Sequence, residues 1–245
     1  SAPNMAVDSY HRPTTNPTYR QPTSPPDLTN YRYYGARSAC EPLHVQADPR
    51  TGQVIAVNHT SQVLKGAKVT ARLYDLSGRQ HGATRTAGVE VAAAATTRAL
   101  TVGWTDDLPD LHLLRLTLED SAGRPLSRNT YWRQRTPAAL KALNAARKVK
   151  LSASVSRLSQ AGARHEMTAT VRNRGTAVAA MVRLSLLDGT GRERVLPTLY
   201  SDNYLWLLPG ESRQVTLSWP ASALESGRPS LQVEAYNSDP VLARS

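Results

Sequence analysis

The sequence predicts an all-β protein with two tandem antiparallel β-sandwiches behind a Pro-rich N-terminal arm. Three observations support this prediction: short apolar runs alternate with polar residues, an Asp-x-x-Gly-Arg turn recurs, and the order of these features repeats in the two halves of the chain. With 245 residues, the chain is long enough for two ordinary domains that each bury a core.

The N-terminal arm is predicted over residues 1–42. Its first thirty or so residues are rich in Pro, Thr, Ser and Asn and show almost no periodic apolar pattern. Such a segment cannot bury enough apolar surface to form a core. We therefore expect it to be extended.

Strand signals begin at residue 43. In residues 68–73 and 114–119, apolar side chains occupy every second position and polar ones lie between them. This period places one set of side chains on a core and the other in water. Half-buried antiparallel strands are expected here, with Arg72 and Arg115 on the solvated face.

A turn signature follows three of the alternating runs, at residues 75–79, 120–124 and 188–192. Its Asp can accept hydrogen bonds from backbone N–H groups further along the loop, and its Gly supplies the positive φ that a short hairpin loop needs. A calcium loop is the sharper alternative, but one carboxylate per loop is too few for a cation that takes six or more oxygens. Each signature therefore predicts a strand, a turn and a strand.

The same order of elements occurs before and after a short helical signal. Thr136 is a suitable N-cap residue and Pro137 a suitable first helical residue. We expect one β-sandwich over residues 43–135, a helical connector over 136–148 and a second sandwich over 149–245. Many short strands with frequent turns are typical of immunoglobulin-like sandwiches.

The formal net charge of +11 raises the possibility of a basic interaction protein or a nucleic-acid binder. The cations are scattered, however, and no nucleic-acid-binding module is recognisable. Six of them fall on alternate strand positions or just after turns, where we expect solvated side chains: Arg72, Arg79, Arg115, Arg124, Arg183 and Arg192. The prediction is no nucleic-acid partner.

The remaining sequence patterns indicate no membrane-spanning segment and no metal, cofactor or modification site. There is no apolar run of about eighteen residues, which predicts a soluble chain without a membrane partner. Cys40 has no second cysteine to pair with, and Asn58-His59-Thr60, although it fits the N-glycosylation pattern, is interpreted as a strand-end turn. No metal site and no cofactor are predicted, because no phosphate-binding loop occurs and the histidines are spread singly: His11, His44, His59, His81, His112 and His165.

Three motifs resemble family 2 glycoside hydrolases. Residues 33–46, YYGARSACEPLHVQ, are similar to the stretch in which those enzymes leave the catalytic barrel and enter the next sandwich. Residues 196–211, LPTLYSDNYLWLLPGE, resemble a signature of the last sandwich, and residues 129–132, NTYW, resemble the end of the sandwich before it. The exo-β-glucosaminidases, mannosylglycoprotein endo-β-mannosidases and β-mannosidases are the relatives that this resemblance implies.

The chemistry of that family needs two carboxylates about 5 to 5.5 Å apart for retaining hydrolysis. The resemblance places both on a catalytic barrel upstream of the sandwiches. Glu41, Glu119 and Glu211 occupy ordinary turn or strand-end positions and have no partner at a motif-defined spacing. No catalytic residue is therefore predicted, and we expect this chain alone to be inactive.

One polar and aromatic segment is the candidate site. The aromatic side chains of this segment, residues 200–206, and the later Trp219 are compatible with a β-sandwich core or with a platform on which sugars stack. Its polar part can cap a turn or reach toward the sugar pocket of the barrel, and this mixture suits a domain interface. The candidate substrate or barrel-interface residues are Tyr200, Ser201, Asp202, Asn203, Tyr204 and Trp206.

The leading functional prediction is an accessory module of a glycoside hydrolase that acts on β-glucosaminide or β-mannoside linkages. Its partner is then the catalytic barrel of the parent enzyme, and it meets the carbohydrate substrate only indirectly. The alternative is a stand-alone carbohydrate-binding module. Localisation is open; the composition, rich in Ala and Arg, favours a bacterial parent enzyme, which we expect in the periplasm or outside the cell.

Overall fold

A computed structural model describes residues 41–224 and 228–244. Its strands confirm the predicted fold class of antiparallel β-sandwiches. The chain divides into unit 1, which ends at Leu140, and unit 2, which begins at Lys141. Residues 1–40 of the arm that was predicted over residues 1–42, His11 and Cys40 among them, lie outside the described residues. None of the helices in the described ranges is long and apolar enough to cross a membrane.

Unit 1 consists of two antiparallel sheets. One has the strand order β1-β2-β5 and the other the order β4-β3-β6-β7. The strands are β1 (Leu43–Ala47), β2 (Gln53–Asn58), β3 (Leu64–Tyr74), β4 (Gln80–Val91), β5 (Ala95–Thr101), β6 (Leu111–Glu119) and β7 (Pro125–Gln134).

The core of unit 1 lies between these sheets. Val45 and Val54 from the first sheet and Val69 and Leu116 from the second are all completely buried. Tyr131, from the NTYW motif, closes one side of this core, where its hydroxyl oxygen accepts a hydrogen bond from the Ala47 N–H at 3.2 Å. The alternation seen in the sequence thus supplies the inward-facing side chains.

The prediction for Arg115 is wrong. This residue is only 8% exposed, although its position between inward-facing leucines predicted a solvated side chain. Its neighbours on the same side of β6, Leu113 and Thr117, are also buried. The side of β6 that faces away from the core is therefore shielded from water as well, and alternation alone cannot reveal this.

Unit 2 is a second sandwich. Its sheets have the strand orders β12-β14-β10-β8, with β9 also paired to β10, and β13-β11-β15-β16. The strands are β8 (Leu151–Val155), β9 (Ser159–Ala161), β10 (Arg164–Asn173), β11 (Ala179–Leu187), β12 (Leu199–Tyr200), β13 (Leu205–Leu207), β14 (Ser212–Pro220), β15 (Ser230–Glu234) and β16 (Val241–Arg244).

Trp219 on β14 lies at the heart of the unit 2 core. It is completely buried, and its ring lies 5.9 Å from that of His165 on the neighbouring strand. Leu184 and Leu231 from the opposite sheet belong to the same cluster. For Trp219, the structure therefore supports the core over the sugar platform.

Helical structure near the unit boundary is short. Residues Pro137–Leu140 form a 3₁₀ turn at the end of unit 1, and α1 (Lys141–Asn144) opens unit 2. A second 3₁₀ turn follows β14 at Ala221–Ala223.

The three predicted turns form as the side-chain argument expects. Asp75 Oδ1 accepts hydrogen bonds from the N–H groups of Ser77 and Arg79, at 2.8 and 3.1 Å. Asp120 and Asp188 hold their loops in the same way. The first two turns connect β3 to β4 and β6 to β7, and the third leads from β11 into an isolated bridge between Leu187 and Arg194.

Candidate functional site

The candidate segment crosses unit 2 from one sheet to the other. It begins at Tyr200, the last residue of β12, and ends in β13 with Trp206. β12 pairs with β14, whereas β13 pairs with β11. The loop between them is therefore a connection between the two layers of the sandwich.

Asn203 fastens this crossing to β11. It is 8% exposed, its Oδ1 accepts a hydrogen bond from the Leu184 N–H at 2.8 Å, and its Nδ2 donates to the Leu184 carbonyl at 3.0 Å. The side-chain amide thus bonds to β11 as a residue of a neighbouring strand would. Its polar atoms serve the local fold.

Tyr200 and Ser201 are also engaged inside unit 2. The Tyr200 hydroxyl oxygen accepts a hydrogen bond from the Leu186 N–H at 2.8 Å, and burial raises the pKa of this phenol to about 12. Ser201 Oγ accepts a hydrogen bond from the Thr216 N–H at 2.9 Å, while its own N–H donates to the Thr216 carbonyl at 2.8 Å. Both residues extend the hydrogen bonding of the sheets.

Two residues near the crossing have left-handed backbone conformations. Tyr204 has a φ of 56° and Met181 a φ of 54°. Met181 lies where the register between β11 and β13 shifts, between the pairs Ala179–Leu207 and Val182–Leu205. Non-glycine residues adopt this conformation at a cost of roughly 1–3 kcal/mol, and such strain concentrates at functional sites.

Trp206 lies on the side of β13 that faces away from the core. Its neighbours Leu205 and Leu207 belong to the core cluster, so alternation turns Trp206 the other way. The residue is nevertheless only 7% exposed. A ring this well covered offers no open face on which a sugar could stack.

Asp202 is partly accessible, with 39% of its side chain exposed. Its Oδ1 accepts a hydrogen bond from the Asn203 N–H at 2.9 Å, and its Oδ2 lies 3.4 Å from Arg213 Nη2. The structure thus gives Tyr200, Ser201, Asp202 and Asn203 partners within unit 2. Tyr204 is partly buried and its N–H donates to Asn203 Oδ1 at 2.9 Å, whereas Trp206 is buried. A contact of this segment with another domain stays a prediction.

The three glutamates singled out in the sequence all have structural partners. Ser127 Oγ donates to Glu41 at 3.4 Å, Lys68 Nζ lies 2.8 Å from Glu119, and the Leu208 N–H donates to Glu211 at 2.9 Å. These contacts fit the ordinary turn and strand-end roles that the sequence indicates.

Sequence reasoning missed a buried histidine between two carboxylates in unit 1. His81 is 3% exposed; its Nε2 lies 2.9 Å from Asp75 Oδ2, and its Nδ1 lies 3.2 Å from Asp107 Oδ2. The bond to Asp75 is the main reason that the pKa of His81 is raised, and Asp107 adds to it. The only local signal was a histidine two residues after the first Asp-x-x-Gly-Arg turn.

The pKa of Asp75 shifts in the opposite direction to that of His81. Partial burial alone would raise its pKa, but hydrogen bonds from Ser77, His81 and Arg79 outweigh burial and lower the pKa to about 2. A charged imidazolium can donate to both carboxylates at once, whereas a neutral ring can donate to only one. The trio thus fastens β4 to the loop that contains Asp107.

Two domain families match consecutive parts of the chain. Residues 51–136 match the mannosidase Ig/CBM-like domain, and residues 129–238 match the Ig-fold domain of exo-β-D-glucosaminidases.

Curated relatives include two bacterial enzymes named exo-β-D-glucosaminidase. That of Amycolatopsis orientalis is 30% identical over 229 residues, which are 85% of this chain and 22% of the relative. That of Streptomyces avermitilis is 32% identical over 227 residues, 84% of this chain and 25% of the relative. The chain thus spans about a quarter of the length of these relatives.

Two solved glycosidase structures are also similar to this chain. The exo-chitosanase CsxA of Amycolatopsis orientalis superposes with a TM-score of 0.78 at 29% identity, over 87% of this chain and 28% of that one. A β-D-mannosidase from Dictyoglomus thermophilum, at 16% identity and a TM-score of 0.54 over 85% of this chain and 23% of that one, shares the fold. The chain is a tandem pair of immunoglobulin-like domains of the family 2 glycoside hydrolase type.

Proposed function

We propose that the chain is the accessory module of an exo-acting β-glucosaminidase and supports a catalytic barrel that lies outside residues 1–245. The observation that carries this proposal is the match of residues 129–238 to the Ig-fold domain of exo-β-D-glucosaminidases. It covers most of unit 2 and includes the complete candidate segment.

Substrate class follows from the relatives. The two bacterial relatives above and three fungal ones bear the name exo-β-D-glucosaminidase. The mannosidase similarity is at the level of fold, and a domain family alone does not carry a substrate. We therefore assign the parent enzyme to β-glucosaminide linkages rather than β-mannoside linkages.

An interface role is proposed for the candidate segment, with Tyr204 as a ring that is only partly buried. Tyr204 has the left-handed backbone of the strained turn that joins the two sheets, and the polar residues between Tyr200 and Tyr204 hold that turn in place. A rigid segment that carries aromatic side chains is suited to fixing the position of a neighbouring domain. In this proposal the neighbour is the catalytic barrel.

A carbohydrate-binding module is the second candidate, favoured by the Ig/CBM-like description of the family that matches residues 51–136. Against it, Trp206 and Trp219 are buried, and a chain with a net charge of +11 repels a protonated oligoglucosamine. Titration of the chain with glucosamine oligosaccharides separates the two candidates. We expect binding no tighter than about millimolar, whereas micromolar binding abolished by Trp206→Ala would establish the binding module.

The parent enzyme provides the direct test of the proposal. We expect the protein encoded by the intact gene to hydrolyse p-nitrophenyl β-D-glucosaminide at least about a hundredfold faster than the β-D-mannoside, a difference of about 2.7 kcal/mol in transition-state binding. Preference for the mannoside would overturn the substrate assignment. Full activity after deletion of residues 41–244 would overturn the supporting role.

A further inference from the structure

Unit 2 gathers cations that are far apart in the sequence. Arg172 lies on β10, Arg174 directly follows that strand, and Lys150 directly precedes β8. The Arg174 N–H donates to the Lys150 carbonyl at 2.8 Å, and Arg172 lies opposite Ser152 in the register. Because Leu151, Val171 and Asn173 are buried, alternation places these three cations together on the outer side of the sheet.

These three residues, the basic strip, form no ion pair with a carboxylate in residues 41–224 and 228–244. All three are exposed. Arg174 Nε donates to Ser152 Oγ at 2.9 Å, which holds its guanidinium along the strip. Arg147 extends the strip at one end, where its Nη1 donates to Thr176 Oγ1 at 3.4 Å.

Two carboxylates on adjoining segments have other partners. Glu211 accepts a hydrogen bond from the Leu208 N–H at 2.9 Å. Asp239 lies 4.0 Å from Lys148, a different cation. Because none of its three cations pairs with a carboxylate in the described residues, the strip keeps its positive charge and attracts an anion with several charged groups.

The spacing of the strip fits a linear polymer. Side chains two residues apart on one strand are separated by about 7 Å, and neighbouring strands by about 4.8 Å. Two guanidinium groups can each grip a carboxylate through two N–H donors. Aromatic rings for stacking bases are lacking among these residues, which disfavours single-stranded nucleic acid.

We propose that the basic strip binds a carboxylate-bearing polysaccharide. This inference rests on the proposed function through one chemical relationship. A polymer of β-linked glucosamine has an ammonium group on each sugar, so opposite charge draws it into association with anionic polymers. The strip repels the polycation and binds the polyanion that accompanies it, which holds the parent enzyme at mixed assemblies of the two polymers.

Polygalacturonate is the probe, and the complete 245-residue chain is the protein. The test variant is Lys150→Gln, Arg172→Gln, Arg174→Gln. The matched control is Lys65→Gln, Arg85→Gln, Arg98→Gln, which removes the same numbers of Lys and Arg from exposed positions in unit 1. A third variant, Arg172→Lys with Arg174→Lys, keeps the charge but removes the planar donors. Thermal melts establish that each variant is folded.

We expect binding that weakens as NaCl is added, roughly tenfold weaker in the test variant, because three screened contacts each contribute a factor of about two to three. The control variant should stay within about twofold of the original chain, and the double lysine variant should lie between them. Equal losses in test and control variants, or no binding by the original chain at low salt, would overturn the proposal. So would tighter binding to a DNA duplex that the test variant loses.

Failure of this experiment is separable from failure of the proposed function. Polygalacturonate binding is measured on this chain alone. The substrate preference for glucosaminide over mannoside is measured on the parent enzyme. Either result can therefore be negative while the other is positive.

Discussion

Asn58 in unit 1 and Asn173 in unit 2 occupy the same structural position. Both are completely buried, and in each the Oδ1 accepts a hydrogen bond at 2.9 Å from the N–H two residues later, of Thr60 or Gly175. Each Nδ2 lies within hydrogen-bond distance of three carbonyl oxygens, which share its two hydrogens: those of Gln62, Val91 and Ala92 in unit 1 and those of Ala177, Leu207 and Leu208 in unit 2. The repeat seen in the sequence is thus a repeated buried hydrogen-bond network.

Replacement of either asparagine should destabilise its own unit. Asn58→Ala and Asn173→Ala each leave buried carbonyls without a donor, which costs about 2–4 kcal/mol. Hydrogen exchange resolved along the chain should show faster exchange in unit 1 for the first variant and in unit 2 for the second. Exposed Gln214→Ala serves as a control, and melting of either asparagine variant within about 1 °C of the original chain would contradict the assignment.

A comparison of Gly52 with Gly123 can distinguish the cost of backbone strain from the cost of a steric clash. Gly52 and Gly123 both have positive φ, 72° and 77°. A Cβ at Gly123 meets nothing within 4 Å, whereas one at Gly52 would lie 2.3 Å from the Val102 carbonyl oxygen. We expect Gly123→Ala to cost about 1 kcal/mol and Gly52→Ala more than about 2 kcal/mol in urea unfolding. Equal costs would contradict the close approach of Gly52 to Val102.

The stability of unit 1 should depend on pH through His81. Its pKa is raised in the folded state, so its stabilising effect is complete below the unfolded value of 6.5 and is lost as the pH rises through the folded value. His112 acts in the opposite sense, because burial lowers its pKa. Comparison of the original chain with His81→Gln isolates the first effect.

The difference in melting temperature between these two proteins should be largest near about pH 5.5 and should shrink toward about pH 8.5. Asp75 contributes at the acidic end. Its pKa of about 2 means that its stabilising effect is present above the unfolded value of 3.8 and is lost as the pH falls toward 2. A melting difference that grows between about pH 5.5 and 8.5 would have the wrong sign for a histidine held between two carboxylates.

Asn203 and Asp202 should differ in their effect on unit 2. Asn203→Ala removes both side-chain bonds to Leu184 and should cost about 2 kcal/mol. Asp202→Ala removes a partly exposed contact with Arg213 and the bond from the Asn203 N–H, and should cost less than about 1 kcal/mol. Chemical denaturation of the isolated chain measures both, and the reverse order would show that the crossing is held differently.

Local rules were sufficient to predict the turns. The bonds of Asp75 and Asp120 run to N–H groups two and four residues away, so the sequence contains the whole interaction. Strand alternation predicted the core for a similar reason, since it depends only on neighbouring positions. It failed at Arg115 because burial on the second side of a strand depends on what packs there.

The candidate site was harder to predict because its contacts are distant in sequence. Asn203 bonds to Leu184, nineteen residues earlier, and His81 reaches Asp107, twenty-six residues later. The cations Lys150 and Arg174 become neighbours only when β8 pairs with β10. The sequence can therefore identify candidate residues without revealing which of them contact one another in the fold.

The central claim is that this chain supports catalysis without performing it. The most direct measurement is hydrolysis of p-nitrophenyl β-D-glucosaminide by the purified 245-residue chain. The prediction is no turnover above background, because retaining hydrolysis needs a pair of carboxylates about 5 to 5.5 Å apart, and the family resemblance places that pair on the barrel. Turnover that survives purification and disappears on Glu41→Gln, Glu119→Gln or Glu211→Gln would contradict it.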